Sequence, residues 1–127
     1  MRYLLDTQLL LWVPLKTRAL PLAAAEILNA DNEIFFSAAS VWEVAIKFGR
    51  GKPDFKVNPH PLRRGLLQNG YTELPITSEH AMHVAGLPHI HKDPFDRLLI
   101  AQATVEGMTL LTSNRLIAEY PGPIRRV

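Results

Sequence analysis

Short apolar runs alternate with longer amphipathic segments along the whole chain. The apolar runs predict strands at residues 2–6, 33–37, 71–76, 108–112 and 124–127. Apolar residues at three- and four-residue steps, or Ala- and Leu-rich composition, predict helices at about 7–12, 19–30, 38–49, 62–69, 78–85, 94–106 and 114–120. A segment with three prolines, 52–61, predicts a loop.

This alternation of strands and helices predicts an α/β fold, with a mostly parallel central sheet of four to five strands and helices on both faces. Pro75 places the third strand at the periphery of the sheet, because proline cannot donate a ladder hydrogen bond. Ligands of such sheets bind beyond the carboxyl ends of the strands, where the strand order reverses. Asp6 closes the first strand and Asn114 follows the fourth, so both face one crevice if these strands are neighbours.

Composition and charge narrow the classes of protein. The 127 residues, 47% of them hydrophobic and 20% charged, fit one globular domain over 1–127. The absence of cysteine excludes a disulfide framework and a thiolate metal site. The apolar runs are too short to span a bilayer, and Asp6 interrupts the one that resembles a signal peptide, so we expect a cytoplasmic protein without a membrane segment. A net charge of +2 permits a nucleic-acid partner without arguing for one.

Two aspartates three positions apart open the apolar helix predicted at 94–106. Asp93 suits the N-cap and Pro94 the first turn, while Asp96 complements the positive end of the helix dipole. Capping accounts for Asp93. Whether Asp96 does more depends on which other acids the fold brings beside it.

Two further acids are candidates for such a cluster. Glu43 lies on the polar stripe of an amphipathic helix, and the simpler interpretation is an exposed pair with Lys47 one turn later. Asp6 ends an otherwise buried strand, where a lone acid must be paired, metal-bound or engaged in capping the next helix. Both interpretations stay open for each acid.

Four segments, LLDTQLLLW, SAASVWEVAIK, HKDPFDRLLIAQA and LLTSN, occur in this order. Together they resemble the PIN domain and, more narrowly, the toxin ribonucleases of VapBC-type (type II) toxin–antitoxin pairs, over nearly the whole chain. The resemblance implies a PIN-like fold in which Asp6, Glu43 and Asp96 converge at the carboxyl ends of the strands and bind Mg²⁺ or Mn²⁺. It also implies that Thr7 and Thr112 support the metal site.

The sequence departs from the family pattern at Asn114, where an aspartate is usual. An amide oxygen can still ligate a hard cation, so Asn114 remains in the expected ligand set. Because it supplies no negative charge, we expect weaker metal binding.

The resemblance implies a metal-dependent endoribonuclease that is the toxin of a toxin–antitoxin pair, with a cognate antitoxin, an RNA substrate and a homodimer. Hard cations neutralise the phosphodiester and lower the pKa of an attacking water, which is why such chemistry needs clustered carboxylates. His91, Lys92 and Arg97, beside the acidic helix, are candidates for RNA contacts.

Other functions remain as alternatives. A PIN-like protein that binds RNA or antitoxin without cleavage is the second hypothesis, and Asn114 is its support. A phospho-acceptor signalling domain would need paired acids after the first strand, whereas Asp6 stands alone. Four histidines fall within twelve residues, but without cysteine we expect no dedicated zinc site; they are His80, His83, His89 and His91.

Overall fold

The computed structural model describes residues 1–15 and 20–127, and a five-stranded parallel sheet lies at its centre. The strands are β1 (Arg2–Leu5), β2 (Glu33–Ser37), β3 (Thr72–Leu74), β4 (Thr109–Thr112) and β5 (Ile124–Arg126). They are ordered β3-β2-β1-β4-β5, and every adjacent pair is parallel. The predicted parallel α/β sheet is therefore confirmed, with β3 at an edge.

Helices cover both faces of this sheet. They are α1 (Thr7–Leu15), α2 (Leu22–Asn29), α3 (Ala38–Gly49), α4 (Pro59–Gln68), α5 (Ser78–His83), α6 (Pro94–Glu106) and α7 (Arg115–Ala118), with a 3₁₀ turn at Val84–Gly86. Leu4 and Leu5 follow each other in β1 and are fully buried in different apolar clusters. Leu5 packs with α1, α2 and α4, and Leu4 packs with α6 and α7, as the alternation of side chains along a strand requires.

Some predicted boundaries are wrong for identifiable reasons. Pro59 was expected in a loop, but it opens α4, because proline is tolerated in a first helical turn as readily as in a loop. The side chain of Asn58 caps this helix by accepting a hydrogen bond from the His60 amide at 3.0 Å. The predicted start of the second helix, at residue 19, lies outside the described residues.

The central strand β1 lies between β2 and β4, and this is where the strand order reverses. The Asp6 amide continues the ladder by donating to the Leu111 carbonyl at 3.0 Å, so the ends of β1 and β4 lie side by side. The predicted neighbourhood of the first and fourth strands is thus confirmed. Among the described residues, no helix has both the length and the apolar character needed to cross a bilayer.

Candidate metal centre

A cavity of about 390 Å³ opens beyond the carboxyl ends of β1 and β4. Its walls come from α1, α3, the start of α6 and the turn before α7, and we call it the acidic pocket. Its lining residues are Asp6, Thr7, Gln8, Leu11, Glu43, Lys47, His91, Asp93, Asp96, Ser113, Asn114 and Ile117. The three acids implied by the resemblance are therefore brought to one place.

Asp6 both caps α1 and lines the acidic pocket, so its two interpretations do not exclude each other. Its Oδ1 accepts a hydrogen bond from the Leu9 amide at 2.8 Å, and its Oδ2 accepts one from Thr112 Oγ1 at 2.5 Å. The residue is 2% exposed. Burial raises the pKa of the Asp6 carboxyl, and the hydrogen bond from Thr112 opposes that rise.

Glu43 projects from α3, whose N-cap is Ser37; the Ser37 hydroxyl accepts from the Ala39 amide at 2.9 Å. The expected pair with Lys47 forms, with 3.0 Å between Nζ and Oε2, but Glu43 itself is buried at 8% exposure. Its other oxygen, Oε1, is buried and has no hydrogen-bond partner among the described residues. Such an oxygen is costly to bury unless something supplies positive charge to it.

Thr7 links two of the elements that carry acids. Its Oγ1 lies 2.9 Å from the Oγ of Ser40 on α3, and both side chains are buried. This hydrogen bond ties the start of α1, next to Asp6, to the part of α3 that lies three residues before Glu43.

Asp96 lies in the first turn of α6. Asp93 caps this helix by accepting from the Asp96 amide at 3.0 Å. The Asp96 Oδ2 lies 2.8 Å from His91 Nε2. Burial, followed by the neighbouring charge of Asp93, raises the pKa of the Asp96 carboxyl to about 6, while the hydrogen bond with His91 opposes the rise.

Asn114 is the N-cap of α7. Its Oδ1 accepts from the Leu116 amide at 2.8 Å and the Ile117 amide at 3.4 Å. The oxygen expected to face a metal is therefore already engaged by the backbone. The Asn114 amide in turn donates to Thr112 Oγ1 at 2.9 Å, which ties this turn to the residue that holds Asp6.

The candidate RNA contacts divide into two groups. His91 lines the acidic pocket, and Lys92 is exposed on the adjoining segment. Arg97, in contrast, is 9% exposed, and its guanidinium donates to the Pro88 carbonyl at 2.8 Å and to the Tyr120 hydroxyl at 3.1 Å. We therefore correct the expectation for Arg97, because a buried guanidinium that is bound to the protein cannot also reach RNA.

Sequence reasoning missed two features of the site. Lys47 lines the pocket, although its spacing from Glu43 suggested only a surface pair. Tyr120 fixes the backbone of His91, and no local pattern indicates this, because the two residues meet only in the folded chain. The clustered histidines separate: His80 is fully buried, with its Nε2 2.8 Å from Glu106 Oε2, while His91 faces the acidic pocket.

The donors in the pocket fit a hard divalent cation. His91, Asp93 and Asp96 offer ligand atoms that all lie within 4.8 Å of one another. Asp6 and Glu43 add carboxylates to the same cavity, and the buried Oε1 of Glu43 lacks a partner among the described residues. Oxygen-rich donor sets of this kind suit Mg²⁺ and Mn²⁺.

The fold and the site together define an α/β protein with an acidic pocket at the switch point of a parallel sheet. The model of the PIN domain matches residues 3–123, and the chain belongs to this family. No curated protein matches the chain.

Solved structures with this fold cover almost the whole chain. VapBC2 from Rickettsia felis, bound to a DNA fragment from its promoter, has a TM-score of 0.76 at 17% identity and covers 100% of this chain and 99% of its own. DNA-bound VapBC from Salmonella typhimurium has a TM-score of 0.68 at 18% identity and covers 99% of this chain and 98% of its own. VapBC-1 from nontypeable Haemophilus influenzae has a TM-score of 0.65 at 20% identity and covers 99% of this chain and 98% of its own. At these identities the likeness establishes the fold alone.

Proposed function

We propose that this protein is a divalent-metal-dependent endoribonuclease and the toxin of a toxin–antitoxin pair. The observation that carries the proposal is the convergence of Asp6, Glu43 and Asp96 in one pocket, with a buried Glu43 oxygen that has no partner among the described residues. Membership of the PIN domain family and the fold shared with VapBC chains support it.

The chain's own residues prepare the site for this reaction. Asp6, Glu43 and Asp96 hold the metal, and Thr112 and Thr7 keep the first two acids in place. When bound, Mg²⁺ or Mn²⁺ neutralises a phosphodiester and lowers the pKa of an attacking water.

Groups at the rim of the pocket bind the substrate and complete the metal site. His91 and Lys92 are the proposed contacts to the RNA backbone, and Lys47 adds a cation in the pocket wall. We expect Asn114 to reach the metal through a water, because its carbonyl oxygen caps α7.

The proposed partners follow from the structures of similar fold. Three of them are VapBC complexes, and a fourth is described as a toxin–antitoxin complex from Klebsiella pneumoniae. By analogy we propose a cognate antitoxin that blocks the acidic pocket, together with a homodimer and a cytoplasmic location.

Cleavage of an RNA pool by the purified chain, free of any partner, tests this function. We expect cutting with Mg²⁺ or Mn²⁺, none with EDTA, and background rates for Asp6→Asn and Asp96→Asn. Asp54→Asn is the matched control, since Asp54 is exposed and lies outside the pocket. Cutting that persists in EDTA, or in both pocket variants, would contradict the proposal.

A second function, binding of RNA or antitoxin without cleavage, is favoured by one observation. The Asn114 oxygen is committed to the helix cap, so the position where the family usually has an aspartate supplies no negative charge. Wild-type protein that binds RNA and Mn²⁺ but does not cut would establish this alternative.

A further inference from the structure

Two side chains, those of Arg97 and Tyr120, bind the backbone of the segment between α5 and α6, residues 84–93. Arg97 donates from Nη1 to the Pro88 carbonyl at 2.8 Å, and from Nη2 to the Val84 carbonyl at 3.2 Å and the Leu87 carbonyl at 3.5 Å. Backbone carbonyls outside regular structure need partners, and the guanidinium serves those of Leu87 and Pro88. It also donates to the Val84 carbonyl, which already closes the 3₁₀ turn by accepting from the Leu87 amide at 3.1 Å. Arg97 follows Asp96 directly in α6, so the segment is tied to the helix that carries the acid.

The hydroxyl of Tyr120 completes this arrangement. It accepts from the His91 amide at 2.7 Å and from Arg97 Nη1 at 3.1 Å, and it donates to the His91 carbonyl at 3.2 Å. Both backbone polar groups of His91 are thereby bound to one atom. Tyr120 is only 4% exposed and packs in the apolar cluster with α6, so this atom has a fixed position.

We propose that Arg97 and Tyr120 act as a clamp that positions the His91 imidazole against Asp96 and so sets the affinity of the acidic pocket for its metal. This inference rests on the proposed function. Neither clamp residue touches the pocket, and both act through His91 as positioning residues.

Through His91, the clamp would orient the Asp96 carboxylate, as the Thr112 hydroxyl orients that of Asp6. His91 Nε2 engages Oδ2 of Asp96 at 2.8 Å, so His91 holds this carboxylate at one of its two oxygens. A carboxylate held by one oxygen presents the other in a fixed direction, which reduces the entropy lost when a metal binds. Loss of partners that orient a ligand typically lowers metal affinity by about 10- to 100-fold.

The test separates the hydroxyl of Tyr120 from its ring. Tyr120→Phe keeps the buried ring and removes the three hydrogen bonds made by the Tyr120 hydroxyl. Tyr3→Phe is the matched control, because Tyr3 is also 4% exposed and its hydroxyl reaches only Met1 Sδ, at 3.5 Å, among the described residues. Arg97→Met serves as a second variant that removes the guanidinium but keeps an unbranched apolar stem.

Two readouts are taken on each variant. Histidine ring ¹H–¹⁵N spectra of the metal-free protein, assigned with His91→Gln, report the position of the imidazole. Electron paramagnetic resonance of free Mn²⁺ gives the affinity. We expect Tyr120→Phe and Arg97→Met to shift the His91 signals and to weaken Mn²⁺ binding about 10-fold or more. Tyr3→Phe should change neither, and adding Tyr120→Phe to His91→Gln should weaken binding no further.

His91 signals that stay in place in Tyr120→Phe would overturn the clamp, and shifted signals with unchanged Mn²⁺ affinity would overturn its role in metal binding. Failure of the proposed function gives a different result. If the wild-type protein binds Mn²⁺ but does not cut RNA, the proposed nuclease activity is overturned. A Mn²⁺ affinity that still falls in Tyr120→Phe would support the clamp even then. Wild-type protein that does not bind Mn²⁺ overturns both.

Discussion

The Asp96 carboxyl group is poorly accommodated as an anion in the metal-free protein. Burial and the charge of Asp93 raise its pKa from 3.8 to about 6, so the folded chain binds this proton more tightly than the unfolded chain does. The contribution of the protonated group to stability is complete below the unfolded pKa and is lost as the pH rises through about 6. Above that pH, the ionised Asp96 carboxylate lowers the stability of the folded protein, and a bound cation would offset this loss.

Asp96→Asn is therefore expected to stabilise the metal-free protein. At pH 7.5 the free energy of unfolding should rise by up to about 3 kcal/mol, less the weakened hydrogen bond with His91, and at pH 4.5 by only about 1 kcal/mol. Urea denaturation in EDTA measures both values. Asp54→Asn, on the exposed surface, should change neither. A loss of stability at pH 7.5 would show that the carboxylate is better paired than its burial implies.

At the scale of elements, the short helix α7 determines what the fourth position of the pocket can do. Asparagine and aspartate are equally good N-caps, so a change between them leaves the helix start intact. The charge of the pocket wall changes, however, because only aspartate adds a carboxylate beside the Thr112 hydroxyl that binds Asp6.

Asn114→Asp should accordingly tighten Mn²⁺ binding and speed RNA cleavage, by about 10-fold for each as an order of magnitude for one added charge in a partly desolvated site. Titration with Mn²⁺ and cleavage assays measure the two effects. Asn58→Asp makes the same substitution at the N-cap of α4, outside the pocket, and should leave both unchanged. Equal Mn²⁺ affinity in Asn114→Asp and wild type would place the metal away from this turn.

The elements that carry the site were predictable because their ends have strong local signals. The bounds of α3 and α6 are as predicted, since Ser37 and Asp93 cap them and Gly107 ends α6 in a left-handed conformation with φ 67°. The burial of Glu43 was not predictable. Helical periodicity identifies a polar face, but it cannot distinguish a face that meets bulk water from one that meets a cavity.

The placement of Arg97 was wrong at the sequence level for a related reason. Its neighbours in the chain are acids and a loop, which suggests a surface cation, whereas its partners are carbonyls at Val84, Leu87 and Pro88 and the distant Tyr120 hydroxyl. The Tyr120 hydroxyl, which follows α7, comes within reach only once α7 packs beside α6. Asp6 and Asp96 were predictable from a strand end and a helix start, and Glu43 was added only by the resemblance to the PIN domain; the side chains that orient these acids depend on tertiary contacts.

At the scale of the whole molecule, the candidate metal site depends on the complete fold. Asp6, Glu43 and Asp96 belong to separate elements that meet only when the sheet is complete. A cation that binds this arrangement, and not the unfolded chain, stabilises the folded state by an amount that grows with its concentration.

Mn²⁺ at about 100 times its Kd should raise the free energy of unfolding by about 2.7 kcal/mol at pH 7.5. Thermal denaturation across a Mn²⁺ series measures this as a rise in Tm. The rise should vanish in the double variant Asp6→Asn/Asp96→Asn and should shrink below pH 6, because protons then compete for Asp96. A Tm that rises equally in the double variant would locate the binding elsewhere.

The position of β1 has a consequence for how the protein is made. The first of the five strands in chain order becomes the middle strand of the sheet, and one of its two neighbours, β4, follows it by more than a hundred residues. A chain that stops before Thr109 therefore has an open edge on β1, and its Asp6 lacks the hydrogen bond from Thr112. If the protein cuts RNA as proposed, translation products that terminate before Thr109 are inert.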